Sequence, residues 1–301
     1  MIKFPLQVTP PFDPHALFSR LSFTGNRPSL IAADTERQRL IRTVRVGPKA
    51  LPLIIDFGGT VDAPLASLSI PEEATPNERD QLLEIASHMV SADIDLSQMY
   101  NHFADNDRLH SLFARLRGSK LFLDPDPFEC LVRTIICQQL NLSFAGTLIE
   151  RLARLAGEEY VIDNRSMLAF PTAEAIATLS VEQLRKVSFS QRKAEYVIDA
   201  ARLVVDGGID FAKLAAMPDE EAIAQLIRYR GIGRWTAECL LIFGFGRPDL
   251  LPSADIGLRN GLRKMYGLST QPSASEVEAF GKSWSPWRTY ITFYLWESLR
   301  L

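Results

Sequence analysis

The spacing of apolar positions changes character about a third of the way along the chain. Before that point, short β-branched and aromatic runs close on glycine. "FSRLSFTG" (18–25), "LIRTVRVG" (40–47) and "ALPLIIDFGG" (50–59) predict strands. "PNERDQLLEIASHMV" then carries Leu82, Leu83, Ile85, Ala86 and Met89 at helical spacing, with Asn77 as the expected N-cap. From Asp93 onward amphipathic helices take over. "DPFECLVRTIICQQLNLSFAGTLIERLARLAG" predicts one or two long helices, followed by "SVEQLRKV", "QRKAEYVIDAARLVVDGG" and "DEEAIAQLIRYRG". Pro171, Gly207, Gly208, Pro218 and Gly231 punctuate them. The expected organisation is a small α/β unit over residues 1–92 and a helical bundle over 93–301, so the fold class is mainly α.

Composition narrows the classes. A chain of 301 residues holds more than one compact unit with its own core. "MIKFPLQVTPPF" lacks the charged, apolar and small-residue order of a signal peptide. No apolar run approaches the roughly eighteen residues of a membrane span. Cys130, Cys137 and Cys239 are odd in number and widely spaced, which argues against a disulfide framework and predicts a cytoplasmic protein. Three cysteines cannot supply the four thiolates of an iron–sulfur cluster. His15, His88, His102 and His110 form no close-spaced pair of metal ligands.

The net charge of −3 does not advertise a nucleic-acid partner, but a binding face needs only a local excess. Between Arg228 and Lys264 the chain carries Arg228, Arg230, Arg234, Arg247, Arg259, Arg263 and Lys264 against Glu238, Asp249 and Asp255. Within this window "RGIGRWTAECLL" joins two helix-like stretches, a hairpin near 219–246. Pro218 suits the start of the first helix, and Asp219, Glu220 and Glu221 complement its dipole. Gly231 is expected to close it as a left-handed cap, Ile232 to plug between the helices, and Gly233 to lead into a second helix from Arg234 to about Phe243. Bare amides at that helix start offer a place for a phosphate. An ordinary helix–helix turn that needs glycine for its φ angles is the competing reading.

"LIRYRGIGRWTAECLL", followed by "LLPSADIGLRNGL", resembles the helix–hairpin–helix DNA glycosylases, and within them the alkylation-repair, 3-methyladenine branch. "CLVRTIICQQLNLSFA" is similar to that family's early core helix and Gln-containing turn, and "SPWRTYITFYLW" to its C-terminal Pro-Trp-Arg helix. The strand-rich beginning with "TPPFD" is similar to its extra α/β domain. The resemblance covers nearly the whole chain and implies the family's helical bundle with a catalytic loop near 247–258.

By that resemblance Asp255 is the catalytic carboxylate, which stabilises positive charge on the deoxyribose. "PSAD" before "IGLRNGLRKMYG" also makes Asp255 a helix N-cap, and the two roles are compatible. Trp235 stands where lyase-active relatives carry a nucleophilic lysine, which implies base excision without strand cleavage; packing is its alternative role. Trp235 and Trp296 correspond to base-pocket aromatics suited to a cationic purine. Phe18 is the nearest match to another, while Cys239 and Ile256 stand where aromatics are expected. Gly231, Ile232, Gly233, Arg234 and Thr236 are the implied DNA-binding residues. Gln139 or Leu140 would fill the gap left by a flipped base, unless that turn is simply a packed helix end.

The resemblance further implies damaged double-stranded DNA as partner and a bacterial-type, nucleoid-associated monomer without a membrane association. No cofactor is required on this reading. A structural Na⁺ or K⁺ would be held by the backbone carbonyls of Ile227, Tyr229 and Ile232. Two other readings remain: a glycosylase of the same fold for deaminated or oxidised bases, and a DNA-binding module without catalysis.

Overall fold

The structure, a computed structural model, describes residues 1–23 and 29–300. The N-terminal unit is built on β1 (Ile2–Pro5), β2 (Ile31–Asp34), β3 (Arg39–Val46), β4 (Lys49–Thr60) and β5 (Ala63–Ile70). They form one antiparallel sheet in the order β1-β5-β4-β3-β2. Helices α1 (Pro14–Phe23) and α2 (Pro76–Met89) flank it. Leu40, Val44, Leu53, Ile55, Leu68 and Ile70 from the sheet pack with Leu17, Phe18, Leu82, Ala86 and Met89 from the helices.

Two expectations fail here. "FSRLSFTG" is the end of α1 and not a strand, because Leu17, Phe18 and Leu21 recur at helical spacing and turn one face to this core; Thr24 and Gly25 lie outside the described residues. The N-cap of α2 is Thr75 and not Asn77. Thr75 and Glu78 form a reciprocal capping box, with Pro76 at the first helical position.

The helical part begins with α3 (Leu96–His102), α4 (Asp107–Arg115), α5 (Pro127–Cys137) and α6 (Leu142–Ala156). The single long run is thus two helices, broken at 138–141. A hairpin unforeseen from the sequence follows: β6 (Glu158–Ile162) and β7 (Arg165–Ala169). Its turn residues, Asp163 and Asn164, have φ of 51° and 59°, the conformation of a two-residue hairpin turn. It lies against the N-terminal sheet, where Ile162 and Met167 meet Ala32, Ile41 and Ile54.

Then come α7 (Ala173–Ala177), α8 (Val181–Lys186), α9 (Gln191–Val205), α10 (Phe211–Ala216), α11 (Asp219–Leu226) and α12 (Arg234–Phe243). The chain ends with α13 (Ile256–Tyr266), α14 (Ala274–Gly281) and α15 (Arg288–Ser298). One apolar cluster joins α5, α6, α9, α11 and α12, and a second joins α3, α4, α13 and α15. Phe243 packs against both, so the end of α12 lies on the seam between them. Among the described residues no helix is long and apolar enough to cross a membrane.

Candidate active site

The α11–α12 hairpin presents the glycine turn. Helix α11 stops at Leu226, and Gly231, with φ of +89°, lies further on in the connecting turn, so Gly231 does not cap the helix directly. A Cβ on Gly231 would fall 2.5 Å from Cγ of Tyr196, so both conformation and space demand glycine there. Ile232, 3 % exposed, is buried in the first helical cluster and anchors the turn. Gly233 differs from Gly231. Its φ is −90°, and no heavy atom lies within 4 Å of where its Cβ would sit. The fold itself therefore does not require glycine at 233, and the space outside its Cα is open. Gly233 caps α12 without a side-chain acceptor, which leaves first-turn amides for a phosphate oxygen.

Arg230, Arg234 and Arg247 do not stand as the bare positive patch that local charge counting implies. Arg230 pairs with Glu195 at 2.5 Å and lies over the Tyr196 ring. Arg234 grips Glu220 through two bonds of 2.7 and 3.1 Å and reaches Glu238 at 2.9 Å. Arg247 pairs with Asp219. Glu195, Asp219 and Glu220 come from α9 and α11, outside the sequence window in which the charges balance so favourably; only Glu238 lies within it. Arg234 thus has competing partners for any phosphate. Glu238 is buried, and desolvation outweighs Arg234 and pushes its carboxyl up to about 7. Thr236 does not face outward; it is 2 % exposed, and its Oγ1 accepts from Gln138 Nε2 at 2.9 Å.

Asp255 is the N-cap of α13, where its Oδ1 accepts from the Leu258 amide at 2.7 Å. The same oxygen accepts from Trp296 Nε1 at 2.8 Å, while Oδ2 accepts from Trp235 Nε1 at 3.0 Å. Three N–H groups from three helices therefore fix the orientation of one partly exposed carboxylate. Gly257 makes this possible, because a Cβ there would fall 2.9 Å from Trp296 Cδ1 and 3.0 Å from Asp255 Oδ1. Four residues on, a Cβ on Gly261 would meet the Leu295 carbonyl oxygen at 2.8 Å, so α13 and α15 touch along a strip of bare backbone.

Beside this carboxylate lies a cavity of about 220 Å³, with Trp235 as the joint between the two. Trp235, Cys239 and Phe243 of α12 line it, with Thr134 and Cys137 of α5 and Phe122 from the preceding segment. Arg20, Leu21 and Ser22 of α1 and Ile31 and Ala33 of β2 close the side toward the N-terminal sheet. Burial pushes the Cys239 thiol well above its ordinary range, which makes it a packing group and not a nucleophile.

Several expected wall residues sit elsewhere. Phe18 is fully buried in the N-terminal core, edge-on to Phe57, and its helix offers Leu21 to the cavity in its place. Ile256 is 66 % exposed beside Asp255 and does not line the cavity. Trp296 stacks on Phe243 at 5.9 Å and serves the carboxylate through its N–H; Phe243 forms the wall.

The turn between α5 and α6 is flanked by Cys137 and Leu142, both of which line the cavity. Gln139 is exposed at its tip with φ of 58°, whereas Leu140 packs against the helical core. Gln138, unassigned from the sequence, donates to the Gly231 carbonyl at 2.8 Å as well as to Thr236. Lys193 Nζ donates to the carbonyls of Ile135 and Gln138 at 2.9 and 3.1 Å. The tip is thereby tied to the glycine hairpin. On that hairpin the Tyr229 carbonyl already accepts the Ile232 amide at 3.2 Å.

The profile of the HhH-GPD superfamily base excision DNA repair protein matches residues 132–286. The chain is 35 % identical to "Putative DNA-3-methyladenine glycosylase YfjP" of Bacillus subtilis (strain 168), covering 99 % of this chain and 100 % of that protein. It is 31 % identical to a DNA-3-methyladenine glycosylase of the same organism over 74 % of this chain and 73 % of the other. A solved 3-methyladenine DNA-glycosylase from Archaeoglobus fulgidus shares the fold with a TM-score of 0.84 at 22 % identity, covering 100 % of this chain and 99 % of that one.

Proposed function

The chain belongs to the HhH-GPD superfamily of base excision DNA repair proteins, in its alkylation-repair branch, and on that premise we propose that it excises alkylated purines from double-stranded DNA without cutting the strand. The observation that carries the reading is the Asp255 carboxylate, held by Trp235, Trp296 and Leu258 at the edge of an aromatic cavity. The damaged nucleotide rotates out of the stack into that cavity, and Gln139 at the exposed tip of the α5–α6 turn fills the vacated space. Amides at the start of α12 hold a backbone phosphate. As the C1′–N bond breaks, its electron pair leaves with the base and positive charge develops on the sugar. The carboxylate stabilises that charge, and water adds its oxygen to C1′ and gives up a proton. A purine methylated at N3 or N7 is cationic beforehand, so it is attracted to the ring faces of Trp235, Phe122 and Phe243 and departs neutral.

Trp235 occupies the position of the lyase nucleophile and carries no amine to form a Schiff base. A monovalent cation, where present, would be held by the carbonyls of Ile227, Tyr229 and Ile232. These are hard oxygen donors, and Tyr229 keeps a lone pair beyond the bond it accepts; the cation would add positive charge on the phosphate-facing turn. The test is incubation with methylated duplex, scoring abasic sites by strand breakage before and after alkali. Breaks that appear only after alkali support the reading. Breaks without alkali refute the monofunctional assignment, and no abasic sites on any methylated duplex refute the activity.

A further inference from the structure

We propose that Asp124 and Arg133 form a base-reading pair in the cavity wall, anchored by Arg42 of the N-terminal sheet, and that the pair favours damaged guanines. The inference rests on the glycosylase reading and names the substrate face that this cavity recognises. Most of the lining is aromatic, aliphatic or thiol, which grips any purine face without distinguishing its edges. The charged lining residues are Arg20, Asp124 and Arg133. Arg20 donates to Glu297 and lies over the Phe293 ring. Asp124 and Arg133 are joined to each other, with Arg133 Nη1 donating to Asp124 Oδ1. The Asp124 main chain is pinned as well, its amide donating to the Phe243 carbonyl at 2.8 Å.

The pair does not stand alone. Arg133 lies 3.7 Å from Glu129, and Glu129 accepts from Arg42 Nη2 at 2.5 Å. Arg42 is 1 % exposed and Glu129 4 %. A chain of alternating charge therefore runs from the middle of β3 to the cavity wall. Burying two arginines and two carboxylates is a costly way to gain stability, and fixed placement is the better-attested use of such groups. The four charges cancel, so the pair meets a base through directed hydrogen bonds and not through net charge. Guanidinium is donor-only and carboxylate acceptor-only. The free edge of a flipped guanine shows an acceptor, O6, followed by two donors, N1–H and N2–H. Arg133 complements the first and Asp124 the other two. An adenine edge offers a carboxylate one amino group and satisfies less of the pair. The N-terminal sheet, through Arg42, thereby acts on specificity. Asp124 touches the base, and Arg42 is a positioning residue.

The experiment uses duplex DNA treated with a methylating agent, so that 7-methylguanine and 3-methyladenine are present together and both released bases are quantified. Asp124→Asn places an amide donor against the N–H edge. The released ratio of 7-methylguanine to 3-methyladenine is expected to fall about 10- to 100-fold relative to wild type, the range for a bidentate base contact. Binding to a duplex with a tetrahydrofuran abasic analogue, which places no base in the cavity, should be retained. Arg42→Lys keeps a buried cation but loosens the chain, and should lower the same ratio by a smaller factor. An unchanged ratio in Asp124→Asn, or in Arg42→Lys if the first variant does not fold, overturns the proposal. Wild-type protein that releases neither base overturns the glycosylase reading instead.

Discussion

Replacing Gly257 by alanine tests the geometry around Asp255 without removing any polar group. The new Cβ would stand 2.9 Å from Trp296 Cδ1, 3.1 Å from Trp296 Nε1 and 3.0 Å from Asp255 Oδ1. Relaxed carbon contacts need about 3.5 Å or more, so α13 and the indole must part by roughly 0.5 Å. That stretches the 2.8 Å bond between Trp296 and Asp255 to about 3.3 Å, near the limit of a useful hydrogen bond. Alanine gains about 1 kcal/mol of helix propensity, against about 1–3 kcal/mol for overpacking. The net loss of stability is therefore at most about 2 kcal/mol, a shift of only a few degrees in Tm. The effect on excision should be comparable in free energy: a misplacement near 1 Å costs about 100-fold, so roughly 10-fold is expected here. Thermal unfolding and single-turnover base release on methylated duplex measure the two effects. A variant with wild-type release would show that the indole–carboxylate contact does not matter for the chemistry.

Other outcomes follow from the same geometry. Gly231→Ala meets the Tyr196 ring and must hold φ of +89°, so it should destabilise the fold by about 2–4 kcal/mol from backbone strain and overpacking together. Gly233→Ala has open space and should leave Tm within about a degree while weakening DNA binding several-fold; equal stability losses in the two variants would contradict the division of roles. Burial raises Glu238 from its ordinary 4.5 to about 7, so the unfolded chain ionises first, and native stability attributable to this group falls as pH rises from about 4.5 to about 7. Glu238→Gln removes that titration, so its stability relative to wild type should rise by up to about 3 kcal/mol across the window; a difference that is flat with pH refutes the buried-acid assignment.

The α12 boundaries and the Asp255 cap were legible because both depend on neighbours in sequence: a glycine pair, a polar cap and an apolar stripe. The pairing of Arg234 with Glu220 and of Arg230 with Glu195 was not, since each joins separate elements, and counting charges in one window missed the carboxylates that meet these arginines. Phe18 shows the same limit. Helical spacing identifies its buried face, but only the packed sheet shows that this face meets the N-terminal core and that Leu21 on it also borders the cavity. Gln138 and Gly257 act through contacts to residues 93 and 39 positions away respectively, and no local pattern distinguishes them from a helix-end glutamine or an ordinary helical glycine. The β6–β7 hairpin did carry a signal, Asp163-Asn164 between alternating residues, obscured by the helical stretches around it.

In the proposed reaction Asp255 drives base release while other groups hold the DNA. Asparagine keeps the helix cap but offers one acceptor oxygen where two indoles and an amide now donate, and it carries no charge to oppose the developing cation. The most direct measurement compares Asp255→Asn with wild type in single-turnover release of methylated purines, alongside affinity for the same duplex. Release should fall by about 100- to 1,000-fold with affinity retained. Release at the wild-type rate by a folded, DNA-binding Asp255→Asn protein would contradict that role.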